Sequence, residues 1–316
     1  MSESDLIRWI CSRHVPTGSV EIGPGDDAAV LHLPGGSRRL AFAADALVEG
    51  AHFVLDGRSR KAARHTAAPL TPEQVGRKAM LVNLSDLAAM AAKPLACVCT
   101  VSVPAGTGEP TLQAFHEGLV GAAERWLCPL VGGDVTSGSK RWVVSVSVLG
   151  TLEGAPLLRS GARPGDVVFV TGRLGGSAAS GRHADFVPRL AEARFLRTFG
   201  GVTACIDLSD GLSTDLNHIA DAGDVGFLLD ASAVPVSEDV FQCGDPLRAA
   251  LADGEDFELC FTFEANRAGA LRAAWPFADV PLSRIGTIRP AGEGRRITLA
   301  DGRVETLSPG GYEHPL

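Results

Sequence analysis

Acidic residues close the apolar runs of this chain, and that pattern constrains its fold more than any other feature. They occur in GDD (Asp26, Asp27), AAD (Asp45), LSD (Asp86), GGD (Asp134), IDLSDG (Asp207, Asp210) and GED (Glu255, Asp256). Each is expected where a strand or helix gives way to a turn. Any one alone reads as a turn residue or helix cap, because Asp bonds readily to nearby backbone N–H groups. The whole set is harder to explain that way. Strand ends within a domain tend to gather on one side, which would bring these carboxylates together. Two like charges at ~4 Å repel by about 1 kcal/mol in water and about 4 kcal/mol at an effective dielectric near 20. A fold that converges them therefore needs cations. Mg²⁺ suits the case, because it takes one or two carboxylates per ion and completes its octahedron with phosphate oxygens and water.

The first of these clusters lies in EIGPGDDAAVLHL, where Gly23, Gly25 and Ala28 fit the glycine pattern of a dinucleotide-binding turn. The context argues against that reading. A dinucleotide turn follows a hydrophobic strand and opens a helix that faces pyrophosphate. Here RHVPTGSVE is a poor strand, and Ala28–Leu33 followed by PGG and Leu40–Ala44 reads as strand, turn, strand. Asp26 and Asp27 would also repel a diphosphate unless a metal stood between. No phosphate loop of the G-x-x-x-x-G-K-[ST] type occurs, and no Ser-His-Asp or Cys-His nucleophile pattern stands out. VTGRLGGSAAS (Val170–Ser180) is Gly-rich and opens a helix; close packing is the favoured reading and anion binding the alternative.

With 316 residues the chain is long enough for one large or two ordinary domains, and 45 % hydrophobic against 21 % charged residues is the balance of a packed globular protein. A net charge of −8 argues against nonspecific binding to nucleic acid or to an anionic membrane surface. Seven cysteines at irregular spacing include no C-x-x-C pair, so they read as reduced core thiols of a cytoplasmic protein. MSESDLIRWI reads as a helix capped by Ser4 rather than a signal peptide, and no apolar run reaches the ~20 residues of a membrane span.

Periodicity predicts a helix over Asp5 to His14 and strands at Ala28–Leu33, Leu40–Ala44 and Leu47–Phe53. A basic loop over 56–74 carries Arg58, Arg60, Lys61 and Arg64. A helix follows from Pro72, with a break at Asn83–Ser85. After PLACVCTVSVP as a strand, a helix over Thr111–Trp126 and a strand over Trp142–Leu149, the Gly- and Pro-rich run GTLEGAPLLRSGARPGD sets a domain boundary near residue 152. The second half alternates short strands and helices. The expected class is α+β in two domains, 1–152 and 153–316.

The ordered motifs GPGDDAAVL, DALVEGAHF, RKAMLVNLSDLAAMAAKP, LVGGDVTSG, RSGARPGD, VTGRLGGSAAS, IDLSDGLSTDLNHIA and GEDFELCF together resemble the thiamine-monophosphate kinase family, within the superfamily that includes aminoimidazole ribonucleotide synthetase. The resemblance spans nearly the whole chain. It implies an N-terminal ATP/Mg-binding α/β domain whose strands pair with a second subunit in a dimeric β-barrel, and a C-terminal α+β domain. It also implies phosphoryl transfer from ATP to thiamine monophosphate, giving thiamine diphosphate and ADP. Carried over by motif, Asp27, Asp45, Asp86, Asp134, Asp207 and Asp210 are implied Mg²⁺ ligands. Gly133, Asp134, Arg159 and Ser209 are implied ATP contacts. His52, which the residues alone present as a structural histidine, and Glu255 are implied contacts to the acceptor. No general base is expected, because the attacking phosphate oxygen is already anionic; alignment and charge neutralisation carry the reaction.

The chain also departs from the family pattern. Ala43 and Ala44 stand where hydroxyl residues usually precede the aspartate, the 181–201 stretch is short and keeps only Pro188 and Arg189 of a longer Arg-Pro run, and Pro309 stands where an aromatic usually meets the substrate. Two further readings stay open: a kinase or synthetase of the same superfamily acting on another small molecule, and a nucleotide-binding paralogue without turnover. The six aspartates argue against the last.

Overall fold

A computed structural model describes residues 3–13, 18–33, 35, 38–55, 67–242 and 244–312. The basic residues Arg58, Arg60, Lys61 and Arg64 lie outside the described residues, as does His14.

The first half contains α1 (Glu3–Arg13), β1 (Val20–Ile22), β2 (Ala29–His32), β3 (Arg39–Val48), α2 (Pro72–Ala89), β4 (Lys93–Val103), α3 (Glu109–Arg125), β5 (Leu130–Ser137) and β6 (Val143–Leu152). Its six strands form one sheet in the order β1-β2-β3-β6-β4-β5, antiparallel except where β5 runs parallel to β4. Within the chain this sheet is open, with β1 and β5 at its edges. The two strands expected at Leu40–Ala44 and Leu47–Phe53 are a single strand ending at Val48, since Ala43 to Val48 all pair with β6. α1 starts one residue before Ser4, so Ser4 lies inside the helix rather than capping it.

The second half contains β7 (Val167–Thr171), α4 (Ser177–Ser180), α5 (Leu190–Phe199), β8 (Val202–Asp207), α6 (Leu212–Gly223), β9 (Val225–Asp230), α7 (Pro246–Ala252), β10 (Leu259–Phe263), α8 (Ala268–Ala274), β11 (Leu282–Pro290), β12 (Arg295–Thr298) and β13 (Val304–Thr306). Its seven strands run β13-β12-β9-β11-β7-β10-β8, with β12 parallel to β9 and the other pairs antiparallel.

The helix α2 joins the halves. Thr71 and Gln74 cap it reciprocally, and Pro72 occupies its first turn. Thirteen of its residues are buried, so it is sheathed nearly all round rather than amphipathic. The expected break at Asn83–Ser85 does not occur. Asn83 instead bonds its Nδ2 back to the Ala79 carbonyl while its Oδ1 accepts from the Asp45 backbone N–H, so the polar residue pins helix to strand. α2 crosses α3 at a close approach that only glycine permits. A Cβ on Gly76 would lie 2.0 Å from the Phe115 carbonyl oxygen, and one on Gly118 1.9 Å from that of Glu73. Ala89 and Ala91 pack with Phe169, Phe261 and Phe263 of the second half. In return Ala184, Phe186 and Phe257 pack into the first-half core, with the two phenylalanine rings stacked at 4.2 Å. The halves are therefore held by shared apolar burial, which also fixes the position of α2's C-terminal turn against β8.

Candidate active site

Three carboxylates meet at that junction. Asp27 sits in the turn before β2, Asp86 in the last turn of α2 and Asp207 at the end of β8. Their carboxylate oxygens lie within 4.8 Å of one another. Asp207 accepts a 2.6 Å hydrogen bond from the Ser85 hydroxyl, one residue from Asp86. Burial, and then the Asp27 charge, push the Asp207 pKa up to about 8. Burial, with repulsion from Asp45 and Asp207, raises Asp86 well above the usual carboxylate range. Asp45 joins the same acidic neighbourhood from β3; desolvation and Asp27 raise it too. Asp26 is raised to about 7, by burial first and Asp27 second.

Among the described residues, one cation of the chain itself reaches this cluster. The Arg159 guanidinium donates to Asp27 Oδ1 from Nη2 at 2.6 Å and from Nε at 3.2 Å, while its backbone N–H donates to the Asp26 carboxylate. That still leaves Asp27 Oδ2 buried with no hydrogen-bond partner. An orphaned carboxylate oxygen, two further carboxylates within reach and an all-oxygen donor set fit a hard divalent cation such as Mg²⁺.

The other expected metal ligands lie elsewhere. Asp210 falls between β8 and α6, grouped with Asp215 and His218 rather than with Asp27. Asp134 lies within β5 and is exposed. The pairing row Asp45–Val146–Cys99–Gly133 puts Gly133 three strand spacings, roughly 14 Å, from Asp45. Asp134, one residue further along, points to the opposite face of the sheet. So the expectation that each closes its element fails for Asp45 and Asp134, which are mid-strand, and holds for Asp86, in the last turn of α2. Gly133 itself is obligatory, with φ +154 and a Cβ position only 1.9 Å from the Cys99 carbonyl oxygen. Ser209 is half-buried, and its carbonyl accepts the Glu255 backbone N–H at 2.7 Å.

His52 and Glu255 are brought to one point by a residue the sequence reading passed over. Lys78, fully buried in α2, sets its ammonium 2.6 Å from the His52 carbonyl and 2.6 Å from Glu255 Oε1. His183 Nδ1 lies 2.7 Å from the same ammonium and 2.8 Å from Glu255 Oε2. Burial alone would raise Glu255, but Lys78 and His183 outweigh it and hold the carboxyl well below its usual range. A signal existed: Lys78 stands three residues after Val75 and next to Ala79, on a helix face otherwise apolar. His183 carried no such signal.

The glycine-rich run takes the packing reading. The Gly175 N–H donates to the Asp256 carboxylate and the Gly176 N–H to Asp253, so the chain's own acids occupy these donors. A Cβ on Gly172 would strike the Glu258 carboxylate at 2.0 Å. Arg182 and Arg189 neutralise Asp256 and Glu258.

The N-terminal domain model described as "AIR synthase related protein" matches residues 25–152. The thiamine-monophosphate kinase of Escherichia coli (strain K12) is 35 % identical over 318 residues, covering 93 % of this chain and 92 % of that one. The thiamine-monophosphate kinase of Bacillus subtilis (strain 168) is 33 % identical over 99 % of both chains. Among solved structures, "AaThiL complexed with AMPPCP and TMP" superposes with a TM-score of 0.80 at 28 % identity, covering 99 % of this chain and 97 % of that one. Full-length similarity at this level, joined to the two-sheet architecture, places the chain in the thiamine-monophosphate kinase family.

Proposed function

We propose that this chain is a Mg²⁺- and ATP-dependent kinase that transfers the γ-phosphoryl group of ATP to thiamine monophosphate, yielding thiamine diphosphate and ADP. The observation that carries the reading is the convergence of Asp27, Asp86 and Asp207, with one oxygen of Asp27 unpartnered, where the two halves meet. Asp27, Asp86 and Asp207, with Asp45 beside them, would hold Mg²⁺. The ion supplies neutralisation of the phosphate charges that otherwise repel donor from acceptor.

The chain's own residues then bind and orient. Arg159 offers a planar, permanently charged fork to nucleotide phosphates. Ser209 and Gly133 complete the nucleotide contacts, and His52 and Glu255 hold the acceptor. No side chain is required to take a proton, because the attacking oxygen is an anionic phosphate oxygen. Fixing donor and acceptor in line supplies the rest of the acceleration.

We further propose a homodimer in the cytoplasm. Phe42, Val98 and Val143 are exposed on strands of the first sheet, with Val131 and Val135 exposed along its β5 edge. A second copy laid on the face that Phe42, Val98 and Val143 share by register with Asp134 would cover these three and close the open sheet into a barrel. The 6 described cysteines are free thiols, in keeping with a reducing compartment.

Incubation with ATP, Mg²⁺ and a panel of phosphorylated acceptors, read by mass spectrometry, tests the reading. Thiamine diphosphate is the expected product. Turnover of another acceptor and none of thiamine monophosphate would favour the second reading, to which Ala43, Ala44 and Pro309 point. Nucleotide binding without any turnover would mark a paralogue.

A further inference from the structure

Burying an ammonium is costly unless acceptors replace its water shell. Lys78 is fully buried, and two acceptors hold its Nζ, the His52 carbonyl at 2.6 Å and Glu255 Oε1 at 2.6 Å, while the His183 ring sets Nδ1 2.7 Å away. These groups come from three separate segments: the turn after β3, the 182–184 turn and the loop before β10. The segments are themselves constrained. Glu255 takes a left-handed backbone, φ +57, and its N–H bonds to the Ser209 carbonyl. The His52 N–H bonds to the Val48 carbonyl, and its ring Nδ1 accepts from the Val48 N–H. Lys78 thus links a first-half loop to a second-half loop through one charged group.

We propose that Lys78 is the positioning residue of the acceptor site. Its ammonium ties the backbone of His52 to the carboxylate of Glu255, so that these two acceptor contacts keep a fixed separation across the two halves. Lys78 does not touch the acceptor; it acts through the two residues that do. His183 completes the clamp by engaging the second carboxylate oxygen, which fixes the plane of the Glu255 carboxylate. This inference rests on the acceptor reading of His52 and Glu255 given above.

The test compares wild type with Lys78→Met, Glu255→Gln and the double variant, measuring melting temperature and the KM for each substrate. Lys78→Met removes the charge and keeps the stem. It is expected to raise the KM for thiamine monophosphate at least tenfold while leaving the KM for ATP within about twofold. The double variant leaves no unpaired buried charge, so it should regain most of the melting temperature lost in Lys78→Met yet keep the raised acceptor KM. If Lys78→Met does not fold, the double variant is compared with Glu255→Gln, and its acceptor KM must be the higher of the two for the clamp to stand. A variant that loses melting temperature while both KM values hold, or shift together, marks Lys78 as structural and overturns the clamp. A wild type that does not phosphorylate thiamine monophosphate overturns the acceptor reading and the clamp with it; an active wild type with an unchanged Lys78→Met and a raised acceptor KM in Glu255→Gln overturns the clamp alone.

Discussion

Arg159 and Asp27, 132 residues apart in sequence, meet at 2.6 Å across the boundary between the two halves. The guanidinium occupies one side of a carboxylate whose other oxygen lies buried and unpartnered. Arg159 also couples electrostatically to Asp26 and Asp207. It is the resident counter-charge of an acidic cluster that would otherwise repel itself, and the same fork is available to nucleotide phosphates.

Replacing Arg159 by Met should therefore act in two opposite directions. Without metal, the variant should melt lower, on the order of 2–6 °C. Breaking one side of a buried pair costs about 3–5 kcal/mol, reduced here because the Arg159 side chain is 25 % exposed. Mg²⁺ alone should then stabilise the variant more than it stabilises wild type, since no guanidinium competes for Asp27. Calorimetric titration with Mg²⁺ checks this, and an equal or weaker response in the variant would rule out competition.

Metal-free stability should fall as pH rises from about 5 to 8. Asp207 and Asp26 have folded pKa values of about 8 and about 7, above their ordinary range near 4. Between those values the folded state holds protons that the unfolded state has released, so raising pH favours unfolding. Asp256, raised to about 7 by burial, adds to the slope. Glu255, held low, is ionised throughout the window and contributes none. Mg²⁺ binds the ionised carboxylates, so its stabilising effect should grow over the same interval. Melting curves in chelator and in Mg²⁺ from pH 5 to 8 decide the point; a metal-free melting temperature that climbs with pH contradicts it.

Much of this was legible in the sequence. The α2 start near Pro72 and the β4 and β6 strands follow from turn residues and periodicity, and the acidic points name the cluster. What periodicity could not give was depth. Asp45 and Asp134 look alike as residues closing apolar runs, but strand register turns their side chains to opposite faces of one sheet. A second limit is that buried ionic partners are specified only by tertiary packing. His183 reads as an ordinary loop residue until the 182–186 segment is packed into the first-half core. The apparent Asn83–Ser85 break came from reading polar residues as exposed, when Asn83 and Ser85 are both buried and hydrogen-bonded.

Gly118→Ala should separate α2 from α3. Its Cβ would lie 1.9 Å from the Glu73 carbonyl oxygen, a backbone atom that cannot rotate away. The expected loss is about 3 kcal/mol or more, from overpacking at a helix crossing. Gly121→Ala, one turn further along the same helix, meets nothing within 4 Å and should be neutral or slightly stabilising. Denaturant midpoints for the pair check the prediction, and similar midpoints would mean that the crossing relaxes without cost.

Asp210 and Asp215 are five residues apart and should behave differently when altered. Asp215 is buried, and its Oδ2 accepts the backbone N–H groups of Asp210 and Gly211 at the start of α6. That is a capping arrangement, and Asp215→Ala should lower the metal-free melting temperature by removing it, about 1 kcal/mol or more. Asp210 is only half-buried; its carbonyl accepts the Tyr312 N–H, a bond that a side-chain change leaves in place. Asp210→Asn should thus keep the metal-free melting temperature to within a few degrees. If Asp210 carries a metal toward the nucleotide from the second half, Mg²⁺ and ATP each supply part of the other's site, and their joint stabilisation of wild type exceeds the sum of their separate effects. Asp210→Asn should lose most of that joint gain. Thermal shifts with Mg²⁺, with ATP and with both separate the two roles, and equal Mg·ATP stabilisation of Asp210→Asn and wild type would assign Asp210 to the helix terminus alone.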